Sequence, residues 1–393
     1  MRNRLTLFSL FILFPVFVKA QVGGGGDPTT DGRSGTRIIT TAVPFLLIAP
    51  DARSGAMGDA GVAISPDTYS IHWNPSKLAF AEHSSCISVS YSPWLQKLIP
   101  DINLAYLAGY HKLDDRNTVG GSLRYFSLGQ IQLADNMGTV YDNYNPNEFA
   151  IDGSFARNFG ESFSLGTSVR FIYSNLANGQ FASGQQTKPG TALAADVSGF
   201  YKKETQLFGR DARIAAGVNI SNIGNKISYV QDGNKLFLPT NLKMGTAATF
   251  FIDDFNEFTF ALDFNKLLVP TPPVIEIDPE TNEPIITAGR DPSDVSVPAG
   301  IFSSFTDAPG GFKEELQEIS YSTGLEYWYN KQFALRTGYF YENPVKGNRQ
   351  YFTLGAGLKY NVFNIDFAYL LASQQKSPLA NTLRFSLVFN FGE

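Results

Sequence analysis

Residues 382–391 read TLRFSLVFNF. Taken alternately, Leu383, Phe385, Leu387, Phe389 and Phe391 form one series, and Arg384, Ser386, Val388 and Asn390 form the other. One side is apolar without a break and the other is mostly polar, which is the period of two that a strand imposes on its side chains. In a soluble sheet such a comb has to be covered by helices or by a second sheet. The rest of the sequence decides what covers it.

The 393 residues are 43% apolar, 14% aromatic and 17% charged. That is long enough for a sizeable core, and too poor in charge and too rich in Phe and Tyr for disorder. Beyond residue 20 no uninterrupted apolar run approaches the roughly 20 residues that a spanning helix needs, and Gly, Asn and Ser punctuate the chain. A helical membrane protein is excluded and a β-rich class remains.

At the amino end Arg2 and Arg4 precede an apolar stretch from Leu5 to Val18, and Val18-Lys19-Ala20 sets small residues where a signal peptidase requires them. Residues 1–20 are therefore expected to be an export signal, since a stretch this short, interrupted by Pro15, does not make a transmembrane anchor. Gln21, in place of Cys, gives no lipoprotein signature. Residues 21–39, with GGGGDPTTDGRSG, read as a flexible lead-in. Cys86 is the single cysteine, so no internal disulfide staples the fold.

The alternation of the last strand recurs from residue 85 onward. It predicts fourteen strands near 86–94, 101–112, 118–129, 147–158, 163–176, 190–202, 212–221, 239–250, 256–267, 319–329, 332–343, 350–360, 363–372 and 382–392. In the fifth, Phe163, Leu165, Val169, Phe171 and Tyr173 oppose Ser164, Ser168 and Arg170; in the ninth, Phe258, Phe260, Leu262 and Phe264 oppose Thr259, Ala261, Asp263 and Asn265. The polar faces, with their charges and glycines, would make a poor dry core. Connections after even strands are short, with Lys203–Asp211 the longest, whereas those after odd strands include 130–146, 177–189, 222–238 and the 51 residues at 268–318. An even strand count with short turns at one end and long loops at the other is the signature of an outer-membrane barrel with its long loops outside. The expected fold is all-β: a 14-stranded antiparallel transmembrane barrel over residues 85–393, its apolar comb covered by outer-membrane lipid.

A lumen of fourteen strands is too wide for wall side chains to fill. Residues 40–84 do not alternate and are the candidate hatch, a helical plug in the lumen. Here a short helix is expected around Asp51 to Met57, flanked by Gly55, Gly58 and Gly61 in tight turns. Ser65-Pro66-Asp67 reads as a helix start and Asn74-Pro75 as a stop. A phosphate-binding glycine loop is the competing reading, but no Lys-Ser or Lys-Thr follows the glycines.

These residues carry a resemblance. The run Pro50-Asp51-Ala52-Arg53-Ser54-Gly55-Ala56-Met57-Gly58-Asp59-Ala60-Gly61-Val62-Ala63 followed by Trp73-Asn74-Pro75 resembles the hatch of FadL-like outer-membrane barrels. With Thr40-Thr41-Ala42-Val43-Pro44-Phe45-Leu46 and Ser90-Tyr91-Ser92-Pro93-Trp94-Leu95 on either side, the chain is similar to the PorV family of type IX secretion subunits of Bacteroidota. That resemblance implies a non-enzymatic outer-membrane shuttle. Such a protein takes secreted proteins by a conserved carboxy-terminal signal domain from the translocon barrel and delivers them to a cell-surface sortase and attachment complex. It implies no cofactor and transfers no catalytic residue.

The residues support no catalytic or metal site. His72, His83 and His111 lack metal-ligand spacing and read as solvated or lumen-facing, and no Gly-x-Ser-x-Gly elbow is present. The connection 268–318 is more informative. It holds eight Pro and ten acids against two bases, Arg290 and Lys313, and so carries the whole charge imbalance of the chain after residue 20. It reads either as a solvated, self-repelling loop or as a docking arm in which Val274, Ile275, Ile285, Ile286, Ile301 and Phe302 meet a partner that the acids steer. Nucleic acid is excluded by the charge. Two other readings remain at this point, a FadL-like transporter of hydrophobic small molecules and a structural barrel or porin.

Overall fold

The computed structural model describes residues 37–94, 101–134, 140–176, 181–182, 185–230, 233–372 and 382–392. The export signal and the lead-in up to residue 36 lie outside the described residues.

Fourteen strands close into one antiparallel barrel in chain order. They are β1 Ser85–Pro93, β2 Ile102–Lys112, β3 Asn117–Leu128, β4 Asn147–Asn158, β5 Phe163–Asn175, β6 Gly190–Leu207 and β7 Arg210–Gly224, then β8 Asn241–Phe251, β9 Asn256–Leu267, β10 Ser320–Tyr329, β11 Phe333–Tyr341, β12 Gln350–Tyr360, β13 Phe363–Ala372 and β14 Leu383–Phe391. The seam is β1 against β14, in register from Ser85 opposite Phe391 to Tyr91 opposite Phe385. Closure leaves no open sheet edge, which a backbone in hydrocarbon cannot tolerate.

The alternation in the sequence is the alternation in space. In β14 Arg384, Ser386, Val388 and Asn390 are buried toward the lumen while Phe385 and Phe391 are exposed on the outside. In β5 Ser164, Ser168 and Arg170 point inward, and Phe163, Leu165, Val169 and Phe171 outward. Val169, at mid-strand, is 69% exposed. Val169→Lys is therefore expected to cost about 2–4 kcal/mol if its level is the bilayer midplane. The loss should appear as a lower temperature for the heat-modifiable shift on gels, and an unchanged shift would contradict the outward assignment.

One connection differs from its sequence reading. Lys203–Asp211 is not a longer loop: β6 and β7 run on, pairing Lys203 with Ile214 and Leu207 with Arg210, and only Phe208-Gly209 turn. Both sit at positive φ, 53° and 75°, the geometry that matches the twist of a tight hairpin. The polar run Lys202-Lys203-Glu204 lacks a strand's pattern because this ribbon projects past the apolar band, where neither face needs to be greasy.

Before β1 the chain passes down the lumen. Ala42, Val43, Phe45 and Leu46 pack with Ile102, Leu104, Phe126 and Ile172, at the rim of the long connections. There the Ala42 amide donates to Phe237 O at 2.8 Å. Tyr69, Ile71, Trp73 and Leu78 pack lower down, against Cys86, Tyr106, Ala108 and Tyr110. The segment then leaves at the opposite rim, where Ser85 starts β1. Much of the polar inner wall is thus buried against polypeptide; between the hatch and the rim where β1 starts, a cavity of about 210 Å³ remains, lined by Arg53, Asp67, His83, Glu326 and Arg336 among others.

Candidate functional site

The first part of the site is the hatch, held to the wall by polar groups on both sides. Asp51 caps the helix Ala52–Gly55, accepting from the Ser54 amide at 2.7 Å, and its other oxygen accepts from Trp73 Nε1, also at 2.7 Å. Arg53 forks onto Glu326 of β10 at 2.8 and 2.9 Å and reaches Asp67 at 3.1 Å. Glu326 also accepts from Arg336 of β11 at 2.7 Å, and Arg336 donates to Asp366 of β13 at 2.6 Å. Asp59 meets Arg384 and the Tyr351 hydroxyl, each at 2.6 Å. The amides of Gly61 and Val62 donate to Asp263 at 2.7 and 2.9 Å. Charge-assisted, bidentate pairs of this kind are strong and geometrically specific.

The other motif residues fill space. Met57 is fully buried against Gly324 and Gly338 of the wall. Of the three glycines, only Gly58 has the positive φ of a turn, +68°. Gly55 and Gly61 serve close packing instead: a Cβ would lie 2.3 Å from Arg384 at the first and 2.3 Å from the Trp73 ring at the second. Ser65-Pro66-Asp67 does not begin a helix. The helical turn is Ser70–Trp73, and the Asp67 amide donates to Ser70 Oγ, an alternative that short polar side chains offer the backbone. Asn74 ends that turn and, with Pro75 in the first position, caps a second one, Pro75–Phe80.

The histidines divide between the two expected settings, the lumen and the solvent. His72 is buried in the hatch, not solvated: burial and the nearby Lys243 and Arg124 cations push its pKa well down, and the neutral ring accepts from Arg124 at 2.7 Å. His111 is exposed and bonded to Ser85, and His83 lies at the same rim. Among the described residues no cluster of three potential metal ligands occurs.

The second part lies at the long-connection rim. The segment 268–318 is not a solvated, self-repelling strap. It folds into a hairpin of Val274–Ile277 with Pro284–Ala288 and the helices Val297–Ser303 and Phe312–Gln317. Three of its acids are buried and paired. Glu314 meets Arg37 and, at 2.6 Å, Lys346; Glu315 meets Lys266 at 2.9 Å; Glu318 meets Lys266 at 2.7 Å and Lys346 at 2.9 Å. Burial alone would raise the Glu314 carboxyl, but hydrogen bonds from Arg37, Lys346 and the Gly310 amide hold it down to about 2. Its stabilising share is therefore fully present above the ordinary carboxylate range and is lost progressively as the pH falls from there through about 2. This clasp ties the start of the lumenal segment, β9, the loop and the 342–349 connection together. Nothing in the sequence pairs Arg37 with Glu314, because the partners are 277 positions apart.

Beyond the clasp the same loop turns apolar groups outward. Ile275, Ile285, Ile286 and Phe302 are exposed, Phe302 by 78%, while Val274 and Ile301 are half-buried. Ile277 and Phe312 of the same loop, not singled out by the sequence reading, are also exposed. Glu276, Glu280 and Glu283 stand free in the hairpin. Acids and apolar groups are together on one rim, an arrangement suited to macromolecular contact.

The family described as Type IX secretion system protein PorV matches residues 31–274. Among solved structures, the Pseudomonas putida toluene transporter TodX is 12% identical, with a TM-score of 0.53 over 87% of this chain and 99% of that one. The deltaS2S3 mutant of the TodX monoaromatic hydrocarbon channel is 13% identical, with a TM-score of 0.51 and the same coverage. Both likenesses show the fold, a hatch-bearing 14-stranded barrel. No curated protein matches the chain.

Proposed function

Because the chain belongs to the PorV family of type IX secretion system proteins, we propose that it is the non-enzymatic outer-membrane shuttle of that pathway. It takes secreted proteins by their carboxy-terminal signal domain from the translocon barrel and hands them to the cell-surface sortase and attachment complex. The observation that carries this reading is the division of the molecule. The hatch is pinned across the lumen by Arg53, Asp59 and Asp263, while the exposed apolar and acidic groups are gathered on the long-loop rim, which in an outer-membrane barrel faces outward. Ile275, Ile285, Ile286 and Phe302 are the proposed docking residues, together with the half-buried Val274 and Ile301.

A FadL-like transporter of hydrophobic small molecules is the other reading, and it requires the hatch to yield. Here that would break the buried Arg53–Glu326 and Asp59–Arg384 pairs. Affinity purification from mildly solubilised outer membranes, followed by mass spectrometry, separates the two. Secreted proteins sharing a carboxy-terminal domain are the expected yield; fatty acids or aromatic compounds without such proteins would overturn the shuttle.

A further inference from the structure

The hairpin Val274–Ile277 with Pro284–Ala288 forms a sheet of two strands that is joined to no other among the described residues. A lone hairpin is marginal in water. Its one register shift lies between Val274 and Ile275, so the pairing runs regularly from Ile275 opposite Ile286 to Ile277 opposite Pro284. Asp278 donates across this hairpin to Glu283 O at 2.9 Å. By the alternation of an antiparallel pair, the amides of Ile277 and Ile275 turn away from the partner strand, on residues that are themselves exposed.

Its two faces differ in chemistry. Ile275 lies opposite Ile286, and Ile277 opposite Pro284, so one face is apolar; Glu276 lies opposite Ile285 on the other, which continues into Asp278 and Glu283. Between Leu268 and Ala288 there is no basic residue. A strand laid along the Val274–Ile277 edge would set alternate side chains against these same two faces. The chemistry that satisfies both is an extended segment in which apolar and basic residues alternate.

We propose that this edge accepts such a segment of the secreted cargo as a third strand. Main-chain bonds to the Ile275 and Ile277 amides fix it, and Lys or Arg side chains on it face Glu276 and Asp278. The inference rests on the shuttle reading. It is tested on the full-length protein in lipid nanodiscs, with fluorescent acetyl-KVKVKVK-amide and acetyl-EVEVEVE-amide as probes and binding followed by anisotropy. The basic peptide should bind at least about tenfold more tightly. Ile277→Pro deletes one outward donor while leaving the Asp278 bond across the hairpin, and should weaken the basic peptide by about tenfold. Glu276→Lys should narrow or reverse the preference with the backbone untouched. Equal binding of both peptides, or indifference to both substitutions, would overturn strand addition. The shuttle reading fails separately, if no signal-domain protein copurifies.

Discussion

Glu326→Leu is expected to remove about 3–5 kcal/mol of stability, because it leaves two guanidinium groups facing each other in a buried site without their shared counter-charge. Glu326 sits between Arg53 of the hatch and Arg336 of the wall, and its side chain is 2% exposed. Arg53→Met should cost less, since Glu326 then keeps Arg336 at 2.7 Å. The double variant should cost less than the sum of the two singles, the coupling expected of groups in one network. Thermal unfolding in detergent, read by the heat-modifiable gel shift, measures all three. If Glu326→Leu unfolds at the parental temperature, the hatch is not held by this latch.

Gly58→Ala carries the second large effect. The residue has φ of +68°, where a Cβ is strained, and the added atom would lie 2.6 Å from Tyr339 N, 2.7 Å from Tyr339 O and 2.8 Å from Thr323 O. These are backbone atoms of two wall strands, which cannot swing aside as a side chain can. Left-handed strain of about 1–2 kcal/mol adds to overpacking of about 1–3 kcal/mol, and the Gly58 amide would lose its 2.9 Å bond to Thr353. Folded protein should fall sharply and the hatch should become open to protease. Gly153→Ala is the control, since a Cβ there meets nothing within 4 Å. Equal abundance of the two variants would show that the hatch does not press on β10 and β11 as described.

Much of this architecture was legible before the structure. Period-two alternation specified all fourteen strands and their lipid face, because a barrel in hydrocarbon forces every outward position to be apolar. Extents failed where that pressure ends, from Lys203 to Leu207, which pair as strand beyond the expected end at Lys202. The hatch was visible as a break in alternation, and its helix at Ala52–Gly55, the turn at Gly58 and the stop at Asn74 were readable, but the start of the second helical turn was not. Ser65-Pro66-Asp67 carries a helix start in its local chemistry, and the chain instead follows the packing of Tyr69, Ile71 and Trp73. The clasp was not readable at all. Glu314, Glu315 and Glu318 look like free acids in sequence, and only the closure of the barrel brings Arg37, Lys266 and Lys346 to them. Apolar insertions in the loop were readable because Ile275, Ile285 and Ile286 stand among acids and prolines, with no helical or strand period that would bury them.

The account places action on the long-loop rim of a barrel closed by its pinned hatch, and replacing residues 274–288 with a short Gly-Ser linker tests that most directly. The clasp residues Glu314, Glu315 and Glu318 and all fourteen strands stay in place, and lengthening or shortening a surface loop costs little closure entropy. The measurement is the location of signal-domain cargo in cells carrying this variant. The predicted result is a barrel of parental abundance and gel shift, with cargo held in the periplasm or on the translocon and absent from the surface. Cargo attached to the surface at the parental rate, with the barrel intact, would contradict the claim.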